Sequence, residues 1–283
     1  MTRCRPGGSS AAHIDDIRRA LEGVLTAHFG TLPSLIDLVH RPSPYRAGFA
    51  LEELEVRLDA GVTLRLLCKD LSREALLENV RRVKPSFLHD PLREIETYRT
   101  ILDSSRLGTA TCYGAVVDHE RGRYWLFIEN VAGCTLYQIG GPAWHDAARW
   151  LARMHCHFAG QPNLTDQARA AHLLRHDGDY YRLWLRRAQD FSRIRGNSRR
   201  FIEGLTTRYD RVVERLVTLP PTLIHGEFFA SNVLVQQSSE GGRVCPSTGK
   251  WRRLGRASST SLPSRPAGQN AVAWRWLSAT LPK

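Results

Sequence analysis

Two polar side chains near the C-terminal end of the chain carry the strongest chemical signal. His225-Gly226-Glu227 follows a short apolar strand at Leu223-Ile224, and Asn232 comes five residues after Glu227, just before Val233-Leu-Val235. A carboxylate and a carboxamide on a loop between two apolar segments can converge on one point. The carboxylate can accept a hydroxyl proton and the carboxamide oxygen can ligate Mg²⁺. This is the division of labour in a phosphoryl-transfer loop, where a base orients the nucleophile and an amide holds metal. The same residues also suit a plain loop–strand junction whose polar groups cap backbone.

A second pair lies upstream. Lys69 ends the apolar run Val62-Thr-Leu-Arg-Leu-Leu-Cys-Lys69, so its ammonium must end in water or against an acid. Glu94 lies on the following helix, in Leu92-Arg-Glu-Ile-Glu-Thr-Tyr98, and Glu96 faces another side of that helix. A strand lysine paired with a helix glutamate clamps the α- and β-phosphates of ATP in kinase-type sites. The alternatives are a solvated strand end for Lys69 and an exposed helix face for Glu94.

The elements that must position these groups can be read from periodicity. Ile14, Ile17, Leu21, Leu25 and Phe29 recur at three- and four-residue steps and predict an amphipathic helix over 12–29. Leu54-Glu-Val56 and Leu58 alternate with charge, Asp59-Ala-Gly61 is a turn, and 62–69 is a second strand, together an antiparallel hairpin. A helix is expected over 90–103, with Asp90 as N-cap and Pro91 in its first turn. Two strands, 110–117 and 123–129, flank the turn His119-Glu-Arg-Gly122. Past Gly133 the pattern becomes helical, over 143–158, roughly 165–193 and 198–217, until Pro220-Pro221 stops it.

The ordered set Lys69, Glu94, Phe127-Ile-Glu129 with Gly133, Leu151-Ala-Arg-Met-His155 and His225-Gly-Glu with Asn232-Val-Leu-Val235 resembles the aminoglycoside phosphotransferase family. These are small-molecule kinases with a protein-kinase-like fold, and the resemblance covers about 35–246. It implies an α+β, protein-kinase-like two-lobed fold, with a β-rich N-lobe over 1–132 and a helical C-lobe over 133–246 that holds the catalytic loop 223–235. It further implies that Lys69, paired with Glu94, binds ATP phosphates, that backbone groups around Glu129 meet adenine, that Asn232 binds Mg²⁺ and that Glu227 is the base. The implied partner is a small molecule bearing a hydroxyl. Two departures stand out. The family base is usually Asp, one methylene shorter than Glu227, and Arg41-Pro-Ser-Pro-Tyr-Arg-Ala-Gly48 lacks the glycine pattern of a phosphate-covering loop.

A third departure is larger. The resemblance calls for a second metal ligand, an Asp some 15–20 residues past the Asn in an Ile/Val-Asp-Trp/Phe-Glu strand, but no Asp follows Asn232 and the single later acid is Glu240. Residues 247–283 hold seven basic side chains, no acid and three of the seven tryptophans. A shifted reading frame accounts for this aberrant tail. With synonymous codons chosen for 247–263, one G placed ahead and the frame moved back one nucleotide, the segment becomes Val-Asp-Trp-Glu-Met-Ala-Ala-Leu-Gly-Pro-Gly-Leu-Ile-Asp-Leu-Ala-Ala. Thr248 then stands where the metal-binding Asp belongs and Thr260 where a helix-start Asp belongs. The expected activity of the chain as written is therefore impaired, with a pseudokinase that holds nucleotide or a protein partner as the alternative.

Composition narrows the remaining classes. With 283 residues, 42% hydrophobic and 24% charged, the chain excludes wholesale disorder. The net charge of +12 suggests nucleic acid, yet seven of those charges sit in the tail, leaving +5 over the first 246 residues, so no nucleic-acid partner is expected unless the tail is genuine. Apolar runs such as Trp125-Leu-Phe-Ile128 are too short to span a bilayer, and Met1-Thr-Arg-Cys-Arg-Pro leads into a polar helix rather than an apolar signal core. A cytoplasmic protein with no membrane partner is expected. The six scattered cysteines form no C-x-x-C pair and read as reduced thiols. His155-Cys156-His157 resembles a metal motif, but adjacent helix positions face different ways. The basic run at 182–200 suits a solvated face or an acidic substrate.

Overall fold

The computed structural model describes residues 11–31, 34–44, 48–49, 51–59, 61–103, 105–195, 199–237, 242–246 and 253–256. Part of the expected phosphate-covering segment and most of 247–283, Thr248 and Thr260 included, lie outside the described residues. The N-terminal part is a five-stranded antiparallel sheet in the order β1-β2-β3-β5-β4, from β1 (Leu35–Pro42), β2 (Leu51–Leu58), β3 (Thr63–Asp70), β4 (Cys112–Asp118) and β5 (Arg123–Glu129). The hairpin expected around Gly61 is the β2–β3 pair, with Arg57 opposite Thr63 and Leu51 opposite Lys69.

Period-two alternation divides this sheet cleanly. Leu66 and Cys68 of β3, with Trp125 and Phe127 of β5, turn to one face, where helix α1 (Ala11–Phe29) seats Ile17, Leu21, Val24 and Leu25. The four α1 side chains follow helical spacing, and burying each contributes about 1.5–3 kcal/mol. Leu126 and Ile128 turn to the opposite face, into a larger core that runs on to Trp150, Phe228 and Val233. Lys69 follows Cys68 and so lies on this second face.

Between β3 and β4 the chain forms α2 (Glu78–Val83), a single 3₁₀ turn (Ser86–Leu88) and α3 (Leu92–Thr97), which continues as a π-helical turn (Tyr98–Leu102). The Asp90 carboxylate accepts the Leu92 N–H at 2.9 Å, but the cap position expected of it is taken by Pro91, so Asp90 stands one residue ahead of the cap. Neither α2 nor the 3₁₀ turn was expected: α2 has no fully buried side chain, so no apolar period marks it.

The helical part begins after β6 (Cys134–Thr135) with α4 (Leu136–Ile139) and α5 (Ala143–Phe158). The helix expected over roughly 165–193 is two helices, α6 (Leu164–Ala170) and α7 (Gly178–Arg195), separated by β7 (Leu174–Arg175). Helix α8 (Arg199–Thr218) folds back along α7: Arg182 bonds Asp210 at 2.9 Å and Gln189 bonds Thr206 at 3.0 Å. Strand β8 (Pro221–Ile224) enters the loop at His225, and β9 (Val233–Gln236) leaves it to pair with β10 (Arg243–Pro246) and β6. A last strand, β11 (Arg253–Arg256), pairs with β7 and β8. Among the described residues no helix is long and apolar enough to cross a membrane.

Candidate active site

Lys69 and Glu94 meet. Strand β3 is internal to the sheet, flanked by β2 and β5, and α3 packs on the face that Lys69 occupies. The Lys69 Nζ donates to Glu94 Oε1 in a buried ion pair, each side chain no more than 6% exposed. A buried charge pair of this kind costs desolvation on both sides and is a costly ornament if its only role is stability. Glu96, the competing acid, accepts instead from Arg99 at 2.9 Å on a more exposed side of α3.

The loop after β8 is held from beneath. His225 is fully buried, Gly226 takes φ +76°, and Phe228 stacks on Trp150 of α5 with centroids 5.7 Å apart and ring planes 9° apart. His225 meets the same Phe228 edge-on at 5.7 Å. Thr222 of β8 donates to the His155 carbonyl at 3.1 Å, so the Leu-Ala-Arg-Met-His segment of α5 supports the strand that launches the loop. A 3₁₀ turn (Ala230–Asn232) then closes: Phe229 N–H donates to the Glu227 carbonyl and Asn232 N–H to the Phe229 carbonyl, both at 2.8 Å. The Asn232 Nδ2 also donates to the Glu227 carbonyl at 3.0 Å. With that nitrogen committed, the carboxamide oxygen is the end a cation would use. Glu227 is half-buried and Asn232 is buried. Ile95, the neighbour of Glu94, and Phe228, the neighbour of Glu227, belong to one buried cluster that runs from the sheet into the helical part.

The Glu129 carboxylate is engaged elsewhere. Arg243 of β10 donates to its Oε1 at 2.7 Å and its Oε2 at 2.9 Å, and the Thr111 N–H donates to Oε2 at 3.0 Å. Burial pushes this carboxyl up, but the hydrogen bonds from Arg243 and Thr111 outweigh it and hold the group below its ordinary 4.5. The main-chain N–H groups of Glu129 and Asn130 donate to the Thr111 and Arg65 carbonyls at 2.8 and 2.9 Å. Sequence reasoning missed Arg243, which belongs to no motif; its partners Gly108, Thr109 and Glu129 are more than a hundred residues away.

Among the described residues, no group of three or more His, Cys, Asp or Glu is placed to hold a metal ion. In His155-Cys156-His157 the first side chain is partly buried and the other two are exposed. Several arginines of the basic run have partners of their own: Arg182 pairs with Asp210, Arg193 with Asp190, and Arg187 lies over the rings of Phe87 and Trp184 at 5.9 and 5.6 Å.

Comparison with known proteins bears on the fold and the family. A search among curated proteins finds no significant match. Among solved structures, the chain is similar to a GDP complex of an aminoglycoside 2'-phosphotransferase-IIIa mutant, with 12% identity and a TM-score of 0.51, over 85% of this chain and 74% of that one. It is likewise similar to a GDP and kanamycin complex of APH(2")-IIIa, with 13% identity and a TM-score of 0.50, over 83% of this chain and 73% of that one. At such identities these likenesses speak for the fold, which is α+β and protein-kinase-like, with an antiparallel N-terminal sheet and a helical part. The family model for APH, the phosphotransferase enzyme family, matches residues 59–245, a span that opens just before β3 and closes within β10, so the chain belongs to the phosphotransferase enzyme family.

Proposed function

We propose that the protein is built as an ATP-dependent phosphotransferase that phosphorylates a hydroxyl of a small molecule. The observation that carries this reading is the buried Lys69–Glu94 pair in a chain of this family. In the proposed mechanism Lys69 donates to α- and β-phosphate oxygens and offsets their charge, while Glu94 keeps the ammonium in place. Glu227 takes the proton from the acceptor hydroxyl, aligning its oxygen for in-line attack on the terminal phosphorus. Backbone groups beside Glu129 meet the adenine, and the Arg243 contact fixes where that strand end lies.

The donor set fits Mg²⁺ only in part. The Asn232 carboxamide oxygen is a hard neutral donor of the kind Mg²⁺ accepts, but a carboxylate ligand is expected beside it and no Asp follows Asn232 in the chain. When bound, the cation would neutralise charge on the transferring phosphoryl. We read residues 247–283 as out-of-frame translation, with Thr248 in place of the missing Asp. The chain as written then binds nucleotide and transfers phosphoryl poorly. A pseudokinase with a genuine tail is the second reading, favoured by that same absence of Asp.

Resequencing the gene across codons 230–283 separates these readings. An extra base restoring Val-Asp-Trp-Glu identifies a conventional kinase, whose frame-restored protein should release ADP with a hydroxyl acceptor and lose that activity in Glu227→Gln. Confirmation of the present frame with ATP-dependent thermal stabilisation but no ADP release identifies the pseudokinase. Failure of ATP to stabilise either protein overturns the nucleotide-binding reading.

A further inference from the structure

The helix that presents Glu94 is anchored on its other side by a contact that no motif announces. Arg93, the neighbour of Glu94, is 5% exposed, and its Nε donates to the main-chain carbonyl of His172 at 2.6 Å while a terminal nitrogen donates to the Leu88 carbonyl at 3.1 Å. His172 stands between α6 and β7, in the helical part of the molecule. Its ring Nδ1 meets Asp90 Oδ2 at 3.0 Å, and the other oxygen of that carboxylate accepts the Leu92 N–H at the start of α3. One residue therefore holds both the approach to α3, at Asp90, and its first turn, at Arg93, across 82 and 79 positions of sequence.

The backbone at His172 is unusual. Its φ is +55°, in the left-handed region that L-residues other than glycine rarely enter. The flanking chain holds it there: His172 N–H donates to the Arg169 carbonyl at 3.1 Å and Leu173 N–H to the Ala168 carbonyl at 2.8 Å, while Ala171 and Leu173 are buried. Histidine, with Asn and Asp, is among the non-glycine residues that enter it most often. At this turn the ring faces Asp90 while the carbonyl is aimed at Arg93.

Helix α3 is only six residues long before its π-helical turn, too short to hold its own register. Consecutive residues point about 100° apart on a helix, so Glu94 engages the sheet while Arg93 engages the helical part. We propose that His172 is a positioning residue: through Arg93 and Asp90 it latches α3 so that Glu94 stands against Lys69 before any nucleotide binds. This rests on the reading of Lys69 and Glu94 as the phosphate clamp.

The test uses the full chain and the variants His172→Ala and His172→Asn. Asn tolerates the left-handed backbone and can donate an amide N–H to Asp90, whereas Ala can do neither. Amide hydrogen exchange over 92–102 and ATP affinity by calorimetry are measured for each. Loss of one charge-assisted contact should speed exchange in α3 and weaken ATP binding by about tenfold each in His172→Ala, with recovery of both in His172→Asn. Unchanged α3 exchange in His172→Ala, or equal losses in both variants, overturns the latch. If Lys69→Ala binds ATP as tightly as the unmodified chain, or the unmodified chain binds none, the clamp reading falls, and exchange over 92–102 still judges the latch. Should His172→Ala not fold, Asp90→Asn removes the charge facing His172 while keeping an oxygen for the Leu92 N–H, and must speed the same exchange for the proposal to stand.

Discussion

Arg243 and Glu129 join the last strand of the N-terminal sheet to the β9–β10 hairpin by a forked pair, at 2.7 and 2.9 Å. Arg243 also donates to the Gly108 and Thr109 carbonyls at 3.0 and 2.7 Å, so one guanidinium organises both strand ends. Its planar donor fork suits this geometry in a way a lysine could not match.

Replacing Arg243 with alanine should destabilise the fold by about 1–2 kcal/mol, a value discounted because both side chains keep some solvent access. Urea denaturation checks it. The pH dependence has a definite sign. A carboxyl held below 4.5 contributes stability above that pH and loses it as pH falls through the lower folded value. Glu129→Gln should therefore flatten the stability profile below about pH 4.5; an unchanged acid limb would count against the pair.

Lys69→Met leaves Glu94 buried without its cation and should cost about 3–5 kcal/mol. The double variant Lys69→Met/Glu94→Leu removes both charges and should recover most of that loss. Chemical denaturation of the two variants and the parent gives the comparison, and a double variant as unstable as the single would refute it.

Gly133 lies where β6 meets β9. A Cβ built there would stand 2.8 Å from the Val235 carbonyl oxygen, closer than real contacts allow. Gly133→Ala should cost about 1–3 kcal/mol by forcing these strands apart. A thermal midpoint equal to the parent's would show that the strands yield freely.

His155 gives a second pH signature. Burial pushes its imidazole down from the ordinary 6.5 to about 4. Between those values the unfolded chain takes up a proton that the folded chain refuses, so stability falls as pH drops from 6.5 toward 4 and levels off below. The loss across that window is about 1–3 kcal/mol, and His155→Gln should remove it. Denaturation midpoints measured every half unit of pH would show the change in slope.

Much of the sheet is legible in the sequence because strand period two is a local signal. Leu66 and Cys68 against Lys69, and Trp125 and Phe127 against Leu126 and Ile128, sort to opposite faces without any knowledge of the fold. The helices over 12–29, 143–158 and 198–217 follow for the same reason. The break between α6 and α7 does not. Leu173 and Leu174 fit a continuous helical pattern, and the left-handed turn at His172 and the pairing of β7 with β11 depend on distant chain. Helix α2 has no fully buried side chain and lays only Val80 against the core, too little for a periodic signal.

The sequence by itself determined the residue types and their order: a strand lysine, a helix glutamate, a His-Gly-Glu loop with an asparagine five residues on, and a C-terminal segment without the acid expected there. Local periodicity and short motifs suffice for that, because they depend on neighbours within one or two turns. Tertiary structure alone decided that the Glu129 side chain belongs to Arg243 and that His172 grips α3. Those contacts join residues 79 to 114 positions apart. Their geometry is set by how sheet and helices pack around a shared core, and no local pattern encodes that packing.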